Sequence, residues 1–234
     1  MQMLKFIRCL SFEERQVMKS MLSDQIVDFF DSSNSLLLDE SMTVERFHLL
    51  AEMLKHITPH SDTIPSNGIA YYGHPEWVTA ELLLNLKEEA YRRRDQPLDR
   101  IDHFLGCGGS VADNLSVSSK VLEFVTEHVG LVSPTGIASY LYYDRAGLGI
   151  RPHVDTEVFS VNLMLMLRHE YEAGSEPSAT VVFPAHSEPE RYHLKVGEVM
   201  IMHGSSVIHT RSIVQHGEDI HLLTIGFNRI SSGE

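Results

Sequence analysis

His153, Asp155 and His209 are the residues of this 234-residue chain whose types and spacing carry chemistry. In an extended strand residues i and i+2 point to one face, so His153-Val154-Asp155 presents an imidazole and a carboxylate side by side. A second histidine, His209, closes the apolar segment Val207-Ile208-His209 and offers a third ligand. Two histidines and one carboxylate on one side of an ion leave coordination positions open, the ligand set of mononuclear non-haem iron(II) oxygenases. The same set suits zinc in a hydrolase, which would need a general base beside the bound water. His-x-Asp is a short motif in a chain with 14 histidines, so its weight comes from the segments that must position it.

Those segments are strand-length, with turn residues between them. Gly136-Ile-Ala-Ser-Tyr-Leu-Tyr-Tyr143 is followed by the turn Asp144-Arg-Ala-Gly-Leu-Gly149, and Pro152 directly precedes the first ligand. After the ligands come the apolar run Val158 to Leu167, then Ala179-Thr-Val-Val-Phe-Pro184, then Tyr192 to Met202 with Gly197 inside it. His203 to His209 and Ile220 to Asn228 complete the series. Methionines 164, 166, 200 and 202 alternate at strand spacing and read as core filling.

This order resembles the catalytic half of the 2-oxoglutarate/iron(II) dioxygenase superfamily, most nearly its prolyl-4-hydroxylase-like branch. The counterparts are Tyr143 with Gly147, Pro152-His153-Val154-Asp155, Thr180-Val-Val-Phe-Pro184, Gly197-Glu-Val-Met-Ile-Met202 and Leu223-Thr-Ile-Gly-Phe-Asn228, over roughly residues 136 to 229. The resemblance implies an α+β protein whose core is a double-stranded β-helix, a jelly-roll barrel. It makes His153, Asp155 and His209 the iron ligands, with Tyr143 and Thr180 bonded to 2-oxoglutarate, and Fe(II), 2-oxoglutarate and O2 as the reactants of the site. The implied activity is hydroxylation of an unactivated C–H bond in a small metabolite or free amino acid, or its desaturation or cyclisation. A peptidyl-proline-type protein hydroxylase is the alternative within the class. A zinc hydrolase and a non-catalytic binding barrel are the alternatives outside it. Family members that halogenate have Gly or Ala at the carboxylate position, which Asp155 fills here.

One departure concerns the cosubstrate. The family places Lys or Arg at the start of the last strand to hold the distal carboxylate, and that register falls on Ile220, with His221 beside it. A buried carboxylate without a cationic partner is costly, so a basic group must reach it from elsewhere. Arg211, two residues after His209, shares the inward face of that ligand and is the first candidate. Arg229 is the second; it lies an odd number of positions from Ile220 and points the other way unless a bulge intervenes. Arg168, just after the long apolar run, is the third.

Composition fits a soluble enzyme with one domain: residues 1–135 as a mainly helical support and 136–230 as the catalytic barrel. Hydrophobic residues make up 43% of the chain, enough for a sizeable core, and no run approaches the ~18 apolar residues of a membrane span. Met1-Gln-Met-Leu-Lys-Phe-Ile-Arg8 lacks the pattern of a secretory signal, and Cys9 and Cys107 form no Cys-x-x-Cys, so the expected location is cytoplasmic. A formal charge of −13 opposes a nucleic-acid substrate, because phosphates demand a basic face. The one cationic run, Arg92-Arg-Arg94, ends a segment from Pro75 to Ala90 that reads as a helix, and reads as a solvated terminus.

The first half reads as helical. Ser11-Phe-Glu-Glu14 has the form of a capping box opening a helix to about Phe30, and further helices fall near 43–57 and 116–129, the latter ended by Gly130. The expectation is that these helices buttress one face of the barrel. His203, at the start of the loop to His209, is a candidate to orient a ligand.

Overall fold

The computed structural model describes residues 10–33, 41–58, 63–95, 100–101, 104–105, 107–185 and 187–230. Met1 to Arg8, Cys9 and His186 lie outside the described residues. The helices are α1 (Phe12–Ser33), α2 (Ser41–Ile57), α3 (Ala80–Arg94), α4 (Ser110–Ser116) and α5 (Ser119–Val129). The strands are β1 (Ile69–Gly73), β2 (Arg100–Ile101), β3 (Phe104–Leu105), β4 (Val132–Tyr143), β5 (Ile150–His153), β6 (Val161–Glu170), β7 (Thr180–Phe183), β8 (Glu190–Tyr192), β9 (Val199–Met202), β10 (Ile208–Arg211) and β11 (Asp219–Arg229).

These strands form two antiparallel sheets, one of seven strands in the order β1-β9-β6-β11-β4-β3-β2 and one of four in the order β5-β10-β7-β8. Their stacking follows from the two-residue period. On β4, Tyr140 and Tyr142 face the helices, where their hydroxyls donate to Glu89 Oε1 and to the Ala90 carbonyl, both at 2.8 Å. Leu141 and Tyr143 face the other way, into a cluster with Met164, Met166, Met200, Met202, Val182 and Leu222. That cluster draws side chains from both sheets and is the interior between them. All four methionines read as core filling are in it.

Helices cover both outer faces, not one. Val121, Val125 and Val129 of α5 are spaced one helical turn apart and pack with Leu86 of α3 and with Leu223, Ile225 and Phe227 of β11. Leu22 and Ile26 of α1 and Leu54 of α2 pack instead on Val181, Phe183 and Ile208, the outer face of the four-stranded sheet. Chain order alone does not say which sheet a helix will cover, because the apolar stripe fits either.

The capping box forms as its residues imply: Glu14 N–H donates to Ser11 Oγ at 3.2 Å and Ser11 N–H to Glu14 Oε2 at 2.7 Å. Two helix starts differ from the sequence expectation. The segment from Pro75 is a turn, with Val78 N–H donating to the Pro75 carbonyl, and Thr79 caps α3 through Leu82 N–H. Trp77 and Val78 are buried in the core, which holds this turn out of the helix. The 116–129 segment breaks at Val117 and Ser118, and Ser118 caps α5, which ends at Gly130 with φ 84°. Among the described residues no helix is long and apolar enough to cross a membrane.

Candidate metal centre

His153 and His209 meet because β5 and β10 are antiparallel neighbours that pair the two residues directly. Their rings lie 4.4 Å apart between centroids. Asp155 follows the end of β5, and its backbone N–H donates to the Gly204 carbonyl at 2.9 Å. Its Oδ1 stands 3.5 Å from Nε2 of both histidines. One ligand atom from each of the three residues lies within 4.8 Å of the others. The three side chains predicted from sequence therefore converge.

The remaining contacts fix which atoms point inward. His153 Nδ1 lies 2.7 Å from the Arg151 carbonyl and His209 Nδ1 3.0 Å from the Val207 carbonyl. A carbonyl only accepts, so each Nδ1 carries the proton and each Nε2 keeps its lone pair for an ion. Burial would raise the Asp155 carboxyl, but the two imidazoles facing it hold it well below the usual carboxylate range. An ionised carboxylate between two lone-pair nitrogens fits a divalent cation.

Two residues that the sequence reading did not single out orient that carboxylate. Asn162 of β6 donates from Nδ2 to Asp155 Oδ2 at 2.9 Å. Gly204 lies so close that a Cβ there would stand 2.1 Å from the same oxygen. Asn162 left a signal, as the one amide in an otherwise apolar run. Gly204 left none, because its constraint arises only when the turn after β9 folds against Asp155. His203 anchors that turn through its backbone, with its N–H on the Gly68 carbonyl and its own carbonyl accepting from Ser206 and Val207.

Arg211 is 3% exposed and shares the inward face of β10 with His209. Its Nη2 donates to the Ser178 carbonyl at 3.0 Å and to Ser178 Oγ at 2.8 Å. Among the described residues its Nε and Nη1 are buried without a partner. The guanidinium carbon lies 5.7 Å from the centre of the Tyr143 ring, and Thr180 pairs directly with Arg211 across β7 and β10. Tyr143, Thr180 and Arg211 are thus brought together. Burial pushes the Tyr143 phenol up, so it remains a hydrogen-bond donor.

Arg229 and Arg168 lie elsewhere. Ile220 pairs with Tyr143, whereas Arg229 pairs with Val132, nine residues further along β11. That length of strand is about 30 Å. Arg168 is engaged by Asp219, with Nε to Oδ2 at 2.7 Å, and by Glu170 and Tyr91. The Arg92-Arg-Arg94 run is not simply solvated: Arg94 pairs with Asp144 at 3.0 Å, and Arg93 donates to the Gly108 carbonyl.

A cavity of about 220 Å³ reaches Asp155 and is lined by polar groups of α1, among them Gln16, Lys19, Ser20 and Ser23, and by Thr156 and Glu157. Lys19 is buried, and its Nζ donates to Glu157 Oε1 at 2.5 Å, tying α1 to the turn after the ligands. A separate groove between α2 and the ends of β7 and β10 contains none of the three ligands.

No protein-family model and no curated protein sequence matches the chain. Solved structures match in fold. The non-heme alpha ketoglutarate dependent epimerase SnoN from nogalamycin biosynthesis aligns with a TM-score of 0.58 at 12% identity, covering 77% of this chain and 81% of that one. A prolyl hydroxylase from Trichoplax adhaerens, solved with a hypoxia inducible factor peptide fragment, aligns with a TM-score of 0.54 at 11% identity, covering 82% and 94%. A 2OG-Fe(II) oxygenase family oxidoreductase from Burkholderia pseudomallei gives 0.52 at 14% identity, covering 65% and 80%. The fold is that of the 2-oxoglutarate/iron(II) oxygenases. At these identities the likeness is one of fold.

Proposed function

We propose that this protein is an iron(II)- and 2-oxoglutarate-dependent oxygenase that hydroxylates an unactivated C–H bond of a small polar metabolite or free amino acid. One observation carries the reading: on the face that presents His209, a buried arginine holds two nitrogens without a partner among the described residues, beside a buried tyrosine. A dicarboxylate reaching inward from the metal would satisfy them. A zinc hydrolase leaves them unexplained.

In this reading the two facing sheets are the walls of a double-stranded β-helix, and the chain acts as one catalytic unit. Bound here, iron(II) with 2-oxoglutarate and O2 supplies the oxidation, which yields hydroxylated product, succinate and CO2. His153, Asp155 and His209 hold the metal through the two Nε2 atoms and the carboxylate. Arg211 takes the distal carboxylate of the cosubstrate, with Tyr143 and Thr180 beside it. Arg229 has no part in that contact. Asn162 and Gly204 keep the Asp155 carboxylate turned toward the histidines. The apolar interior around Tyr143 excludes water from the cosubstrate's inner end.

The substrate approaches through the cavity under α1, whose hydroxyls, amide and charged groups favour a hydrogen-bonding small molecule. SnoN, whose fold this chain shares, has been solved with Fe3+, alpha ketoglutarate and nogalamycin RO, a small-molecule ligand. The test is a screen of polar metabolites for succinate release by the iron-loaded protein, with excess chloride or bromide present. Hydroxylated product without halogenated product is expected, because Asp155 fills the position that halide would need. Halogenated product from the unmodified protein would refute the role of Asp155.

A further inference from the structure

The geometry points to Ser178, Glu218 and His169 as a buried chain that positions Arg211 and so sets the affinity of this site for the distal carboxylate of 2-oxoglutarate. This deepens the reading above and rests on it. The argument begins with one oxygen. Glu218 Oε1 accepts from Ser178 N–H at 2.8 Å and Ser178 Oγ at 3.0 Å, and lies 3.1 Å from His169 Nε2. Glu218 Oε2 accepts from Gln215 N–H at 2.6 Å. Burial alone would raise the Glu218 carboxyl, but these hydrogen bonds lower it, so it is ionised and only accepts. His169 must then donate from Nε2.

The Ser178 hydroxyl has one proton, and Glu218 takes it. Its lone pairs therefore face Arg211 Nη2, which donates to Oγ and to the Ser178 carbonyl. Reversing that hydroxyl would set its proton against a guanidinium N–H. The guanidinium is held by one terminal nitrogen, while Nε and Nη1 have no partner among the described residues. A fork fixed before binding loses less rotamer entropy when the carboxylate arrives. The negative charge of Glu218 also offsets the cost of burying Arg211 before the cosubstrate binds.

The three residues come from separate parts of the chain: His169 near the end of β6, Ser178 just before β7, and Glu218 just before β11. The chain thus joins the two sheets at the end of the interior where Tyr143 pairs with Ile220. The main-chain pair between Ala179 and Ser212 reinforces it, with Ser212 N–H on the Ala179 carbonyl at 2.9 Å.

The experiment uses the full chain loaded with iron(II) without oxygen, and compares 2-oxoglutarate with 2-oxobutyrate, which has the same metal-chelating head but no distal carboxylate. Ser178→Ala and Glu218→Gln should each raise the dissociation constant of 2-oxoglutarate roughly tenfold, the worth of one charge-assisted hydrogen bond. Binding of 2-oxobutyrate and of iron should not change. Ser178→Thr keeps the hydroxyl and should stay within about twofold of the unmodified protein, since it retains the bond that matters. Equal losses for both oxo acids, no loss for either, or a Thr variant as weak as the Ala variant would each overturn the proposal. An unmodified protein that does not prefer 2-oxoglutarate to 2-oxobutyrate would instead refute the cosubstrate reading itself.

Discussion

In the seven-stranded sheet β4, β6 and β11 run beside one another for ten to twelve residues each, and nearly every position of β11 is buried. In the four-stranded sheet no strand exceeds four residues, yet it carries both histidines of the metal centre, Arg211 and Thr180. The long sheet is largely apolar on both faces and is secured by long ladders that shift register only near Ile225 and His221 of β11. The short sheet is secured by side chains and turns: Asn162 on Asp155, Gly204 against it, and Ser178 on Arg211. The long sheet is a wall, and the short one is where reactive groups are displayed.

The contrast can be broken most directly by exchanging one residue from each sheet. His209→Ala should abolish iron binding and lower turnover by at least about a hundredfold, with the fold intact by circular dichroism, because it removes one of three protein ligands. Phe227→Ala should do the reverse, costing about 3–5 kcal/mol of stability while the folded fraction keeps its iron affinity. Loss of the fold in the first variant, or of the metal in the second, would dissolve the distinction.

Within the short sheet, Arg211→Ala should raise KM for 2-oxoglutarate roughly 10- to 100-fold, in keeping with a charge-assisted pair in a buried site. Arg229→Ala should stay within about twofold by the same measure, since it offers no such pair. Steady-state kinetics with varied 2-oxoglutarate decides between them, and a reversed order would place the anchor on β11. Asn162→Ala reaches across from the long sheet and should weaken iron affinity about tenfold, the lower end expected for a partner of a ligand.

The smallest effect belongs to the helix that backs the wall, α3. Glu89, under Tyr140, accepts from Val111 and Ala112 N–H; burial raises its carboxyl, but these bonds outweigh it and the net shift is downward. A lowered folded pKa means stability present above the unfolded value near 4.5 and lost as pH falls through the folded one. Glu89→Gln should therefore lower the melting temperature at neutral pH and converge with the unmodified protein in acid. It should leave KM for 2-oxoglutarate unchanged.

The two sheets also differ in how far they were legible from sequence. The long strands announced themselves by apolar runs, and His153, Asp155 and Arg211 by two-residue spacing, because both signals are local. What was missed depends on residues far apart in the chain. Ser178 and Glu218 are 40 positions apart, and Lys19 and Glu157 are 138 apart, so no pattern in either neighbourhood points to the other. The placement of α1 and α2 on the short sheet was missed for the same reason. Pro75 misled because proline suits a first helical turn, while burial of Trp77 and Val78 moved the start to Thr79.

The most direct measurement is an oxygen-free titration of iron(II), then 2-oxoglutarate, into the unmodified protein and Arg211→Ala, followed by visible absorbance. Chelation of an iron held by two histidines and one carboxylate should produce a metal-to-ligand charge-transfer band that saturates at one equivalent in the unmodified protein and only at much higher cosubstrate in Arg211→Ala. Admission of O2 should then release succinate. A protein that takes up iron and gives no band with 2-oxoglutarate, or one in which zinc and not iron supports turnover, would contradict the account.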